Sequence, residues 1–140
     1  MKRNIILYYQ DLPSNTDAFA TYIDIRKIDE VINCSVDNLY CDSLEYLAES
    51  DVGPTLNKIQ NKIRSDGTIT IKILDIKKIC LDFLQNHIAA SKYLEYLANK
   101  KSIANLDLIS SNINHELFVT TKLEASNYFI SVIFTRKIAE

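Results

Sequence analysis

The sequence predicts an α/β domain with a mainly parallel sheet, helices on both faces, and an antiparallel hairpin at the carboxyl end. Three observations point there. Short apolar or β-branched runs alternate with segments of helical periodicity along residues 1–140. The last two strand-like runs, residues 116–123 and 128–135, lie too close together for a crossover and suit a hairpin. A chain of 140 residues, 47% hydrophobic and 24% charged, has the length for one cored unit spanning residues 1–140.

Residues 4–9 are a continuous apolar run, which predicts a strand buried on both faces. Residues 10–17, with Pro13, Ser14 and Asn15, read as a loop. Residues 20–25 are β-branched and aromatic, end at Arg26-Lys27, and read as a second strand. A third strand is expected over residues 37–41, running into 42–48. Gly53-Pro54 marks a helix start with proline at the first helical position, and Leu56, Ile59 and Ile63 follow at helical spacing. Asp66-Gly67 ends that helix, with Gly67 supplying the left-handed residue of the turn. Residues 68–74 alternate, with Ile69, Ile71 and Ile73 on one side and Thr70 and Lys72 on the other, and predict a strand. Ile76, Ile79, Cys80, Phe83 and Leu84 form the apolar stripe of a following helix. Tyr93, Leu94 and Leu97 begin another after Ser91, which places Tyr93 and Tyr96 partly in the core.

Two glycines are present where average usage of about 7% would give roughly ten, so functions built on glycine-rich phosphate loops are disfavoured. A net charge of −2 argues against a protein that coats nucleic acid, whose affinity rests on neutralising phosphates. Lys77-Lys78 and Lys100-Lys101 with Lys92 read as solvated helix faces. No run approaches the ~18 apolar residues of a membrane span, and the basic start Met1-Lys2-Arg3 does not lead into a signal peptide. Cys34, Cys41 and Cys80 form an odd set without metal-binding spacing and read as reduced, mostly buried thiols of a cytoplasmic protein. His87 and His115 stand at no triad or metal spacing and read as surface histidines.

Several segments resemble class I S-adenosylmethionine-dependent methyltransferases. Residues 35–47, Ser-Val-Asp-Asn-Leu-Tyr-Cys-Asp-Ser-Leu-Glu-Tyr-Leu, are similar to the family's fourth strand and its leucine-glutamate-histidine-leucine signature, with Tyr46 in place of the histidine. Residues 62–71 resemble the following helix end, lysine-proline-glycine-glycine turn and fifth strand, with Asp66 replacing the first glycine. Leu74-Asp75 falls where many members have proline-aspartate, and the two closing strands suit the antiparallel sixth and seventh.

The resemblance implies a minimal Rossmann-like methyltransferase fold with S-adenosylmethionine bound across the carboxyl ends of the strands. Asp24, ending the second strand, would accept hydrogen bonds from the ribose hydroxyls, the alternative being a solvated strand-end aspartate. Tyr8, Tyr9 and Gln10 would form the loop that is glycine-rich in the family, and Asp42 would border the cofactor. Ser43, Glu45, Tyr46 and Asp75 would line the substrate cleft; for Asp42, Ser43 and Asp75 the alternative is capping a helix. Residues 5–11 contain no glycine, and two tyrosines stand where the methionine part of the cofactor would lie. Two readings follow: a divergent methyltransferase acting on an unknown acceptor, or an inactive interaction or assembly module whose cleft is shut by Tyr8 and Tyr9.

Overall fold

In the computed structural model, which describes residues 2–138, the strands form a six-stranded sheet in the order β2-β1-β3-β4-β6-β5. These are β1 (Asn4–Tyr8), β2 (Thr21–Asp24), β3 (Val36–Cys41), β4 (Ile63–Leu74), β5 (Phe118–Ser126) and β6 (Phe129–Arg136). Strands β2, β1, β3 and β4 run parallel, and β6 and β5 add an antiparallel hairpin. The helices are α1 (Glu49–Lys62), α2 (Ile76–Leu84), α3 (Ala90–Leu97) and α4 (Leu106–Ser111), with 3-10 turns at Ile25–Glu30 and Leu44–Tyr46. The mixed, mainly parallel sheet with its closing hairpin is the architecture the sequence predicts.

The helices are unevenly shared between the two faces. Register places Ile5, Leu39, Ile69 and Phe134 in one row and Leu7, Cys41, Ile71 and Val132 in the next, and all eight are buried. Val52, Leu56 and Ile59 of α1, Ile109 of α4 and Ile25 and Ile28 complete this core. Fully burying each such aliphatic side chain contributes roughly 1.5–3 kcal/mol. On the opposite face Ile6, Tyr40, Thr70 and Ile133 share a row and are only half-buried. There the Asn38 amide donates to Asn4 Oδ1 at 2.9 Å and Thr68 donates to Asn38 Oδ1 at 2.8 Å, so the polar groups of this face are satisfied within the sheet. Helices reach this face at its carboxyl end, where Leu74 is buried and Tyr96 of α3 lies edge-on to Phe129. The run at residues 4–9 is therefore not a strand buried on both faces, because Ile6 and Tyr8 on its second face are only half-buried.

Both glycines depart from their expected roles. Helix α1 starts at Glu49, not at Pro54, because Ala48 is extended and Glu49 and Asp51 put negative charge in the first turn, where the helix dipole favours it. Pro54 sits inside the helix, and Gly53 lets α4 approach: a Cβ there would lie 3.0 Å from Asn112 Oδ1. At the next turn Asp66, with φ 65°, takes the left-handed conformation assigned to Gly67. Gly67 lies within β4, at the irregularity where the pairing jumps from Val36–Ile63 to Asn38–Thr68. A Cβ on Gly67 would come within 2.7 Å of Ile63 Cγ2 and 2.9 Å of the carbonyl oxygens of Arg64 and Asp37. Two of those neighbours are backbone and cannot step aside. Gly67→Ala is expected to cost roughly 2–3 kcal/mol in urea unfolding. Gly53→Ala, which meets only the end of a side chain and gains helix propensity, should stay within about 1 kcal/mol of the parent.

Candidate functional site

The carboxyl ends of parallel strands are where open α/β sheets place their ligands. At the ends of β1 and β3 lies a cavity of about 580 Å3, bordered by Tyr8, Tyr9, Gln10, Asp42, Tyr46 and Lys100. A smaller one of about 240 Å3 lies beyond Asp42, Tyr46 and Lys100 and reaches Lys72, Tyr96 and Phe129. A larger hollow of about 830 Å3 sits at the amino ends of β1 and β2, by Arg3, Phe19 and Thr21, away from the strand ends that carry chemistry in such sheets.

Asp24 closes β2, is 7% exposed, and is fully engaged by its own chain. Its Oδ1 accepts from the Arg26 backbone N–H at 2.9 Å and from Arg26 Nε at 3.0 Å. Its Oδ2 accepts from Arg26 Nη2 at 2.6 Å and from the Gln10 backbone N–H at 3.0 Å. A carboxylate offers about four acceptor positions, and these four donors fill them. The Arg26 side-chain bonds, with the two backbone N–H groups, outweigh burial and lower the Asp24 carboxyl to about 2. Asp24 also caps the 3-10 turn Ile25–Glu30. The side chain thus ties the loop after β1 to the turn after β2.

That loop is tightly folded. Asp11 N–H donates to the Tyr9 carbonyl at 2.7 Å, closing a three-residue turn, and Gln10 at its centre has φ 67°. The backbone conformation that glycine supplies cheaply is held here by a glutamine. Tyr9 stacks on Tyr46 with ring centroids 5.8 Å apart and planes at 21°. Arg26 lies 4.7 Å above the Tyr9 ring, Lys100 Nζ 5.0 Å above that of Tyr46, and Lys101 Nζ donates to the Tyr9 hydroxyl at 3.1 Å. The result is a packed ladder of rings and cations across the strand ends.

The other expected site residues divide into two groups. Ser43 and Glu45 are buried: the Ser43 hydroxyl donates to the Leu7 carbonyl at 3.3 Å, and Glu45 Oε1 accepts from Leu74 N–H at 2.9 Å and meets Lys100 Nζ at 3.4 Å. Asp75 accepts from Lys78 N–H at 3.2 Å and so caps α2. Asp42 and Tyr46 border the cavities. Ser43, at the cap of the turn Leu44–Tyr46, makes no side-chain capping bond. Asp42 is an exposed residue, yet partial desolvation raises its carboxyl above the ordinary range, with a backbone hydrogen bond and the charges of Lys72 and Lys100 pulling it partly back.

Lys72, Lys100 and Lys101 also line these cavities and Arg26 lies over Tyr9 at their edge, which no spacing in the sequence discloses. Lys100 is not on a solvated face: its side chain is 13% exposed, and its partner Glu45 lies far away in the chain. Among the cysteines, Cys41 is buried and its thiol pushed up to about 11 by that burial, whereas Cys34 is exposed, contrary to the expectation of mostly buried thiols. Tyr93 and Tyr96 are half-buried, as their helical spacing predicts, with Tyr93 stacked on Phe83 at 4.4 Å. His87 and His115 are exposed, and His87 Nδ1 lies 3.9 Å from Asp82.

No family model and no curated protein matches the sequence. Solved structures do match the fold. An S-adenosylmethionine dependent methyltransferase from Mesorhizobium loti aligns at 14% identity with a TM-score of 0.61, covering 96% of this chain and 90% of that one. An O-methyltransferase family protein from Burkholderia thailandensis aligns at 10% identity and TM-score 0.58, covering 87% of this chain and 37% of that one. The 1,6-didemethyltoxoflavin-N1-methyltransferase of the same organism, solved with 1,6-didemethyltoxoflavin and S-adenosylhomocysteine, aligns at 9% identity and TM-score 0.52, covering 84% and 51%. The chain thus spans about half or less of the length of two of these three structures, and at such identities the likeness establishes the fold. This chain has a methyltransferase-like, Rossmann-like α/β fold.

In the arrangement described, Asp24 has no acceptor left for a ribose hydroxyl, and Tyr9, stacked on Tyr46, borders the cavity at the end of β1. Engaged in this way, Asp24 does not fit the ribose contact that the resemblance implies. Two stability measurements test this geometry. Because the folded Asp24 carboxyl titrates below its ordinary value of 3.8, the stability it supplies is present above about pH 4 and lost as pH falls toward 2. Asp24→Asn should therefore cost roughly 1–2 kcal/mol in urea unfolding at pH 6, allowing for solvent screening by the half-exposed Arg26, and almost nothing at pH 2. Gln10→Gly should raise stability by up to about 1 kcal/mol, the relief of a left-handed non-glycine residue less the added chain entropy.

Proposed function

We propose that this chain is a catalytically inactive, methyltransferase-like interaction or assembly module that has kept the sheet and closed the cofactor end of the cleft. One observation carries the reading: the carboxylate at the end of β2 is saturated by Gln10 and Arg26 of its own chain. Releasing it for a ribose would break an ion pair at 2.6 Å and leave two backbone N–H groups to be satisfied elsewhere. It would also require Tyr9 to leave its stack between Arg26 and Tyr46.

A second reading keeps the activity: a divergent S-adenosylmethionine-dependent methyltransferase with an unidentified acceptor. It is favoured by the strained Gln10 and by the raised Asp42 carboxyl at the cavity edge. Strained backbone concentrates at functional sites, and Asp42 could take a proton from the acceptor. In this reading the turn at Gln10 opens on binding.

Calorimetry and thermal unfolding with S-adenosylmethionine and S-adenosylhomocysteine separate the two. The inactive module should show no heat of binding and no shift in Tm at millimolar ligand. A ligand present at about 100 times its Kd would stabilise the fold by ~2.7 kcal/mol. A shift of that size, lost in Asp24→Ala, would establish the second reading in place of the first.

A further inference from the structure

We propose that two copies of this chain pair through β5, antiparallel about Leu123, so that one sheet runs through both. The inference deepens the reading as an assembly module by naming the partner as a second copy.

Strand β5 is the last strand of the sheet order and, among the described residues, has a neighbour on one side only. From Val119 to Ser126 every residue is exposed, including Val119 at 46% and Leu123 at 58%. An edge of this length presents a row of backbone donors and acceptors that a further strand can satisfy. The charges on it choose both the occupant and the register. Lys122 and Glu124 flank Leu123, point to the same face, and lie 3.6 Å apart with both side chains exposed.

A two-fold antiparallel pairing must set one residue opposite itself, because a slip by one residue would turn paired side chains to opposite faces. Centred on Lys122 or on Glu124, the pairing would set like charges against each other. Centred on Leu123, it sets Lys122 of each copy opposite Glu124 of the other, giving two cross-strand ion pairs that join the existing ones in a four-charge cluster. The two Leu123 side chains then meet on the other face. The same register brings Thr121, where β5 bulges, opposite Ala125, whose small side chain leaves room for the bend. The Thr121 hydroxyl is already bonded within its own copy, to Thr135 at 3.0 Å and the Ile133 carbonyl at 3.3 Å.

Sedimentation velocity or size-exclusion chromatography with light scattering on the full chain tests this, with circular dichroism confirming that each variant is folded. The parent should be a dimer. Lys122→Glu and Glu124→Lys, each of which replaces opposite charges by like ones, should each weaken dimerisation roughly tenfold. The double variant Lys122→Glu/Glu124→Lys exchanges the charges and should recover the parent behaviour. A monomer at millimolar concentration, a dimer indifferent to the single reversals, or single defects that the double variant does not repair would each overturn the pairing. Cofactor titration is read separately: a monomer that binds no S-adenosylmethionine defeats the pairing alone, and a dimer that binds it defeats only the reading of inactivity.

Discussion

A sheet packed fully on one face and only at its carboxyl end on the other governs most of what this molecule does elsewhere. The buried rows Ile5-Leu39-Ile69-Phe134 and Leu7-Cys41-Ile71-Val132 face α1 and α4, and they hold the hydrophobic core. The opposite face cannot be stabilised in the same way, because half-exposed side chains keep only part of their transfer free energy. It is instead stabilised by cross-strand polar pairs, the Asn4-Asn38-Thr68 ladder among them, which lose little when water has access. Asymmetric packing of this kind also explains why β1, the most apolar short run in the sequence, carries a half-buried tyrosine and isoleucine.

The same asymmetry shapes the cleft. At the strand ends the connecting segments are fixed by specific bonds. Glu45 does this on one side: buried between the end of β4 and the 100–102 segment, it accepts from Leu74 N–H and faces Lys100, while its carbonyl accepts from Lys101 and Ser102. Asp24 does it on the other side, joining the turns after β1 and β2. A buried carboxylate whose acceptors are filled is a good clasp and a poor ligand, since any incoming hydroxyl competes with bonds already made inside the protein. The tyrosine ladder between the two clasps adds dispersion and cation–ring attraction without adding an open polar surface.

How much of this the sequence disclosed depended on the range of each interaction. Isoleucines at alternate positions in β4 and the stripe of α2 are local signals, and both elements form there, although β4 begins at Ile63, in residues expected to belong to the end of α1. Asp75 as a cap is equally local and was readable as one of two alternatives. Helix α4 was not readable, because six residues carry less than two full turns of periodicity. The start of α1 was misplaced because proline is a strong punctuation mark, and the cost of its missing N–H can be met inside a helix whose other residues pack well. Arg26 over Tyr9 and Lys100 beside Glu45 depend on chain segments brought together only by folding, so no spacing rule reveals them. The fold was therefore legible in outline, whereas the bond from the Gln10 N–H to Asp24 and the stack of Tyr9 on Tyr46 are contacts between distant segments that no local pattern discloses.

The shortage of glycine sharpens that last point. Among the described residues six non-glycine positions take a positive φ, and neither glycine does. Three are asparagines, Asn86, Asn99 and Asn127, which visit that region at modest cost and stand after α2, after α3 and in the β5–β6 turn. Both glycines are spent on close approach instead, Gly53 beneath Asn112 and Gly67 beneath the carbonyls of Arg64 and Asp37. Gln10 differs from the asparagines, since its side chain is too long to relieve the strain by a local bond, and the turn persists because Asp24 holds its N–H and the Tyr9 carbonyl holds the N–H of Asp11. Opening the loop would release strain but break both bonds and unstack Tyr9, so the closed state is held by the sum of several contacts and not by the conformation of any one residue. A glycine at position 10 would lower the strain in the closed form and leave those contacts in place. The absence of glycine thus leaves a strained backbone at Gln10, and it is the bonds to Asp24 and to the Tyr9 carbonyl that hold the turn in that conformation.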